Sequence, residues 1–220
     1  MIKAQNFSID FVEKELKGIQ YEQPLKKLMH DITEHLLLLN SYHAGDSSLK
    51  NELINLQAKI NSDFNFFLKM NHELQLDLNT GGRNLMPESL AQKWDELVRV
   101  SWTQNPDISS RLHIKMLRDI RLLIDLVGDA SNLNFDPTYE CSYLVDVALS
   151  RSIYNGELLG EITSTASSFI QQKKISSNDK YDLAGLVALV LNNMDNIQLG
   201  GEKLFKLFSV YFGMWSPDFV

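Results

Sequence analysis

The stretch Val127-Gly-Asp-Ala-Ser-Asn-Leu-Asn-Phe-Asp-Pro-Thr-Tyr-Glu-Cys-Ser-Tyr-Leu-Val-Asp146 decides the fold, because it reads as one helix ending and another beginning at once. Gly128, Ser131 and Asn132 loosen the first helix; Asp136 is placed to cap the second, with Pro137 at its first position. Such a joint is what joins neighbouring antiparallel helices in a bundle.

Working outward, Leu112, Leu117, Ile120, Leu123, Ile124 and Val127 form one stripe before the joint, and Tyr143, Leu144, Val147 and Ala148 begin another after it. Asn155-Gly156 is expected to interrupt that second helix before Leu158-Leu159 resumes it. Toward the N-terminus, Phe11, Ile19, Leu25, Leu28, Ile32, Leu36 and Leu39 share a face of a long helix that Pro24 should kink or break near residues 20–23. Gly45-Asp46-Ser47-Ser48 is a turn leading into a helix with Leu49, Leu53, Leu56, Ile60, Phe64, Phe67 and Leu68 buried. Asn79-Thr80-Gly81-Gly82 breaks the pattern, and Met86-Pro87 starts a helix with Leu90, Trp94, Leu97 and Val98. Ser176 to Asp179 caps a helix burying Leu183, Leu186, Val187, Val190, Leu191 and Met194, and Gly200-Gly201 leads into a last segment with Leu204, Leu207, Phe208 and Phe212.

The expected class is all-α: an elongated antiparallel bundle of six or seven helices, compatible with two stacked four-helix modules, in one domain over residues 1–220. Only 5 prolines and 11 glycines punctuate the chain. A net charge of −7 argues against a general grip on nucleic acid or an anionic membrane surface. The single Cys141 forms no internal disulfide, and no apolar run reaches the roughly eighteen residues of a membrane span.

The search for chemistry is short. The histidines His30, His35, His43, His72 and His113 form no i, i+4 pair, so no metal or cofactor is expected. No phosphate loop, nucleophile turn or dinucleotide fingerprint is present. Asp63, Asp77, Asp95, Asp125 and Asp195 fit a solvated helix face, and the domain is read as non-enzymatic. Phe64, Phe66 and Phe67, with Phe205, Phe208, Tyr211 and Phe212, could line an apolar cavity but fit ordinary core better. Around the joint, Asp129, Asn132, Asp136, Tyr139, Tyr143 and Asp146 concentrate polar groups where two helix ends meet. Asn132 and Tyr143 are the better ligand contacts, since turn chemistry explains Asp136 by itself.

The joint resembles the Ser-Asn-Leu-x-x-Asp-Pro-Asp-x-Asp-Ser-Tyr-Tyr-Leu-Met-Asp signature of extracytoplasmic helical sensor domains in bacterial chemoreceptors, sensor histidine kinases and diguanylate cyclases. Lys14-Glu15-Leu16-Lys17-Gly18-Ile19-Gln20-Tyr21 is similar to their opening segment. His35 stands at the His of a His-Arg-Gly motif, Trp94 and His113 fall at similar places, and Leu159-Gly160-Glu161 resembles a later Leu-Gly-Glu. Leu36-Leu37 and Thr163-Ser164 replace two Arg-Gly pairs, and Ser142 replaces one Tyr. If the absent arginines clamp an anion in relatives, the ligand here is neutral or apolar.

The resemblance implies a periplasmic ligand-sensing domain between two membrane helices of an inner-membrane receptor, homodimeric in the full-length protein, whose kinase or cyclase activity would reside elsewhere in the parent chain. His35 joins the candidate ligand contacts on this ground. The rival reading is a cytoplasmic helical adaptor or effector that binds another protein through an apolar helix face.

Overall fold

The computed structural model describes residues 2–102, 106–135, 147, 151–172 and 175–213. Six α-helices are present among them: α1 (Ile2–His43), α2 (Lys50–Leu74), α3 (Pro87–Ser101), α4 (Pro106–Ala130), α5 (Ser152–Gln172) and α6 (Ser177–Gly213). No strand occurs among the described residues, so the chain is a helical bundle.

The turns form as their residues dictate. Asp46 accepts a hydrogen bond from the Ser48 amide at 3.2 Å and caps the short 3-10 turn before α2. At the start of α6, Asp179 Oδ2 accepts from the Ser176 amide at 2.8 Å while Ser176 Oγ accepts from the Asp179 amide at 3.2 Å. This reciprocal box satisfies two amides that the helix itself leaves without acceptors. Between α2 and α3, Gly81 and Gly82 hold φ of 58° and 76°, a left-handed pair that disfavours side chains.

α1 through α4 run up, down, up, down. Antiparallel order shows in the pairs Tyr21 with Asn71, Lys59 with Asp31, and Trp94 with Asn61, and between α1 and α4 in Asn40 with Ser110. The core they enclose contains Tyr21, Leu25, Leu28, Ile32, Phe64, Phe67, Trp94, Leu117, Ile120 and Leu123. Removing this apolar surface from water is the dominant favourable contribution to the fold. α5 lies antiparallel to α4 against α1 and α4, tied by Glu157, which accepts from Arg118 at 3.1 Å and Arg121 at 2.6 Å. α6 packs chiefly on α5.

Several expectations are corrected. Pro24 does not break α1, which continues through it, because Tyr21, Leu25 and Leu28 on either side are fully buried and hold the helix in place. Asn155-Gly156 lies inside α5 and Gly200-Gly201 inside α6, each within an unbroken helix. Ile19 is exposed rather than buried, as are Val187, Leu191 and Met194. Asp63 is only 16% exposed, not a solvated carboxylate.

Candidate functional site

Of the residues expected around the joint, Asp136, Tyr139, Tyr143 and Asp146 lie outside the described residues. Asp129, Asn132 and His35 are described, and the structure places them in two different settings.

Asn132 sits at φ 67°, the left-handed conformation that asparagine tolerates better than most residues. Its neighbour Asn134 donates to Asp129 Oδ1 at 2.6 Å, so Asp129 braces the turn. The turn is pressed onto α1: Gly18 is buried against Ser131 and Leu133, and a β-carbon there would overlap the Ser131 side chain. Ser131 in turn donates from Oγ to the Val127 carbonyl at 2.7 Å, closing the end of α4. Beside this contact an open groove of about 630 Å³ runs between α1 and the turn, lined by Asp10, Phe11, Glu13, Lys14, Lys17 and Asn132. Asp10, Glu13, Lys14 and Lys17 lie three and four residues apart on one face of α1, so the two carboxylates and two ammonium groups of that wall balance in formal charge.

His35 is elsewhere. It lies in the bundle core with no exposed surface, its ring edge on Trp94 with centroids 5.1 Å apart. The hydrogen bonds around it fix every proton. His113 Nδ1 is 2.8 Å from the Ser109 carbonyl, which can only accept, so that nitrogen carries the hydrogen and Nε2 is an acceptor. His35 Nδ1, 2.8 Å from that Nε2, must therefore donate, and His35 Nε2 accepts from Gln57 Nε2 at 2.9 Å. Both rings are neutral in this chain. Burial first, and the neighbouring ring second, hold His35 down to about 2; burial lowers His113 to about 4 against the raising effect of its bond to Ser109. With both nitrogens engaged, His35 presents none to a ligand.

Sequence reasoning missed this pairing, although a signal existed: His35 continues the spacing Leu28, Ile32, Leu39, and His113 that of Leu117, Ile120, Ile124. It also missed Glu22, a buried carboxylate that Lys26 approaches at 3.4 Å without hydrogen-bond geometry. Burial, opposed by Lys26 and reinforced by Asp125, pushes Glu22 up to about 7.

Of the aromatic residues, Phe64 and Phe67 are core, whereas Phe66 and Phe205 are exposed. One group among the described residues, His30, Asp31 and Glu34, is close enough to share a metal ion. Asp31, however, already accepts from Lys59 at 2.8 Å and lies 3.7 Å from Lys27, two cations that disfavour a third. No helix among the described residues is long and apolar enough to cross a membrane.

Comparisons with protein families, with curated protein sequences and with solved structures find no match.

Proposed function

We propose that this chain is a non-enzymatic ligand-sensing domain of a bacterial membrane receptor, periplasmic, that passes a small displacement of α1 to an output module. The observation that carries the reading is the groove in which Asn132, from the signature turn, meets α1 through Asp10, Glu13, Lys14 and Lys17. A ligand there touches both the turn and α1, so its binding can favour one packing of the two over another. The balanced lining suits a small zwitterionic or neutral polar molecule better than an anion. This agrees with the absence of arginine after His35 and Ile162.

A homodimer fits the same reading. Ile9, Val12, Leu16 and Ile19 follow the 3-4-3 spacing of a coiled-coil seam and are 56%, 58%, 54% and 46% exposed. Phe11 is not on that stripe; it faces the groove. Cysteine pairs in the full receptor should therefore crosslink at Val12 and Leu16 and not at Phe11.

The deciding experiment is a thermal-shift screen of the domain against amino acids, organic acids, purines, polyamines and fatty acids. A zwitterionic or neutral ligand should raise Tm, by mass action, and the rise should vanish in Asn132→Ala. No rise in any class, or one untouched by Asn132→Ala, removes the site. The adaptor reading draws on the exposed Leu191, Met194, Leu199 and Phe205 of α6, and a protein partner protecting those residues from hydrogen exchange would favour it.

A further inference from the structure

A second groove, of about 360 Å³, lies between α4 and α5. Its volume is in the range that small-molecule sites occupy. α4 contributes Arg111 and Ile114 to its walls, and α5 contributes Glu161, Ser164, Thr165 and Phe169. Further along the same interface, opposite charges that meet are joined: Arg118 and Arg121 both donate to Glu157, at 3.1 and 2.6 Å. Arg111 and Glu161 face the groove from the same two helices, yet neither forms an ion pair among the described residues. Because α4 and α5 are antiparallel, going back from Arg118 to Arg111 and on from Glu157 to Glu161 leads the same way along the groove. At about 1.5 Å per residue this leaves the two charges roughly 4 Å out of register counted from Arg118, and roughly 9 Å counted from Arg121.

Hydroxyl groups stand beside them. Thr33, Ser41, Ser101 and Thr163 each donate to the carbonyl four residues earlier in their helix, at 2.6 to 3.1 Å. Ser164 and Thr165 make neither that bond nor any other among the described residues, although Ser164 is only 8% exposed. The Ser164 hydroxyl is not sealed in as the Glu22 carboxylate is, so a molecule in the groove can reach it. A largely buried hydroxyl without a partner gains a hydrogen bond when a polar group is bound there. Arg111 is held toward the same place: its Nε donates to the Asp107 carbonyl at 3.2 Å, which leaves its terminal nitrogens as donors.

We infer that this groove binds a small zwitterion, an α-amino acid with an apolar side chain. Its carboxylate accepts from Arg111 and from the Ser164 and Thr165 hydroxyls, its ammonium donates to Glu161, and its side chain lies over Ile114. The two charges of an α-amino acid sit on neighbouring carbons, and with a hydrogen bond of about 2.8 Å at each end they span the offset between Arg111 and Glu161. Asp107 also lines the groove, so its walls carry two carboxylates against one guanidinium, and an anion lacking an ammonium is disfavoured. The groove shares no lining residue with the one at Asn132, so this site stands or falls independently of the proposed sensing site.

The test is calorimetric titration of the whole chain with L-leucine, against 4-methylpentanoate, which lacks only the ammonium, and 3-methylbutylamine, which lacks only the carboxylate. L-Leucine should bind at least tenfold tighter than either. Arg111→Gln and Glu161→Gln should each weaken L-leucine about tenfold or more, the loss of one charge-assisted contact. Arg111 is exposed and Glu161 half-buried, so both variants should keep the Tm of the parent within a few degrees. Ser164→Ala should weaken L-leucine several-fold, and Asn132→Ala should leave its affinity unchanged. No binding of L-leucine, equal affinity for it and either analogue, or unchanged affinity in either charge variant would each overturn the assignment. Loss of binding only in Asn132→Ala would overturn it too, by putting the amino acid in the other groove.

Discussion

Helix α6 is built from more apolar sequence than the helices of the α1–α4 bundle, yet it ends with more of that apolar surface exposed. In the bundle each helix turns one stripe inward, and Trp94, Tyr21, Phe67 and Ile120 are sealed from water. In α6 the positions 183, 186, 190, 193, 197, 200 and 204 alternate three and four apart, and each is buried or half-buried. Yet Leu189, Leu191, Met194, Leu199 and Phe205 stay exposed around the rest of the helix. An amphipathic helix satisfied by its own chain does not need apolar residues on several faces. The difference teaches that packing among the described residues uses only part of the apolar surface of α6.

The comparison breaks most sharply at Trp94. Its ring fills the bundle centre and donates to Asn61 Oδ1 at 2.6 Å, so Trp94→Ala should destabilise by about 3–5 kcal/mol in denaturant unfolding. A loss under 1 kcal/mol would mean that the bundle centre is no better packed than α6.

Next in size is the response to pH. The native histidine pair holds fewer protons than the unfolded chain between their native values and the ordinary 6.5, so stability is complete above pH 6.5 and falls below it. The slope is about 1.4 kcal/mol per pH unit for each ring. Glu22 acts in the opposite sense: raised from 4.5 to about 7, its native carboxyl holds a proton the unfolded chain has released, so its contribution is present below pH 4.5 and is lost as pH rises through 7. The opposing slopes of these three groups cancel near pH 7, where they place the stability maximum. Glu22→Gln should raise Tm at pH 8 while leaving it nearly unchanged at pH 4, and a uniform shift at both would remove Glu22 as the source.

The smallest effect belongs to α6. Phe205→Ala should change stability by less than about 0.5 kcal/mol in the free chain, as substitutions at exposed positions do. A larger loss that depends on protein concentration would show that self-association covers the helix.

Much of this fold was legible in the sequence. Asp46, Ser176 and Asp179 announced their caps, Pro87 begins its helix as expected, and the stripes of α2, α3 and α4 are the buried ones. What misled was punctuation. Pro24, Gly156 and Gly200 interrupt intrinsic helix propensity, but tertiary packing decides whether a helix continues, and the residues flanking Pro24 are buried on both sides. The site was less legible. Spacing marked His35 and His113 as members of core stripes, but nothing local showed that two stripes 78 residues apart would bring their rings together. Gly18 and Ser131 meet by the same kind of long-range closure, as does the groove that joins Asn132 to Lys14 and Lys17.

The chain of bonds from Gln57 through His35 and His113 to Ser109 has a direction, since every donor points from α2 through α1 to α4. Such a chain acts as a vernier. Hydrogen bonds weaken steeply beyond about 3.2 Å, so sliding α1 along α4 by even a fraction of a helical turn must release one of its nitrogens. The imidazole nitrogen resonances thus form a gauge inside the molecule, graduated in helix register and readable without any added label.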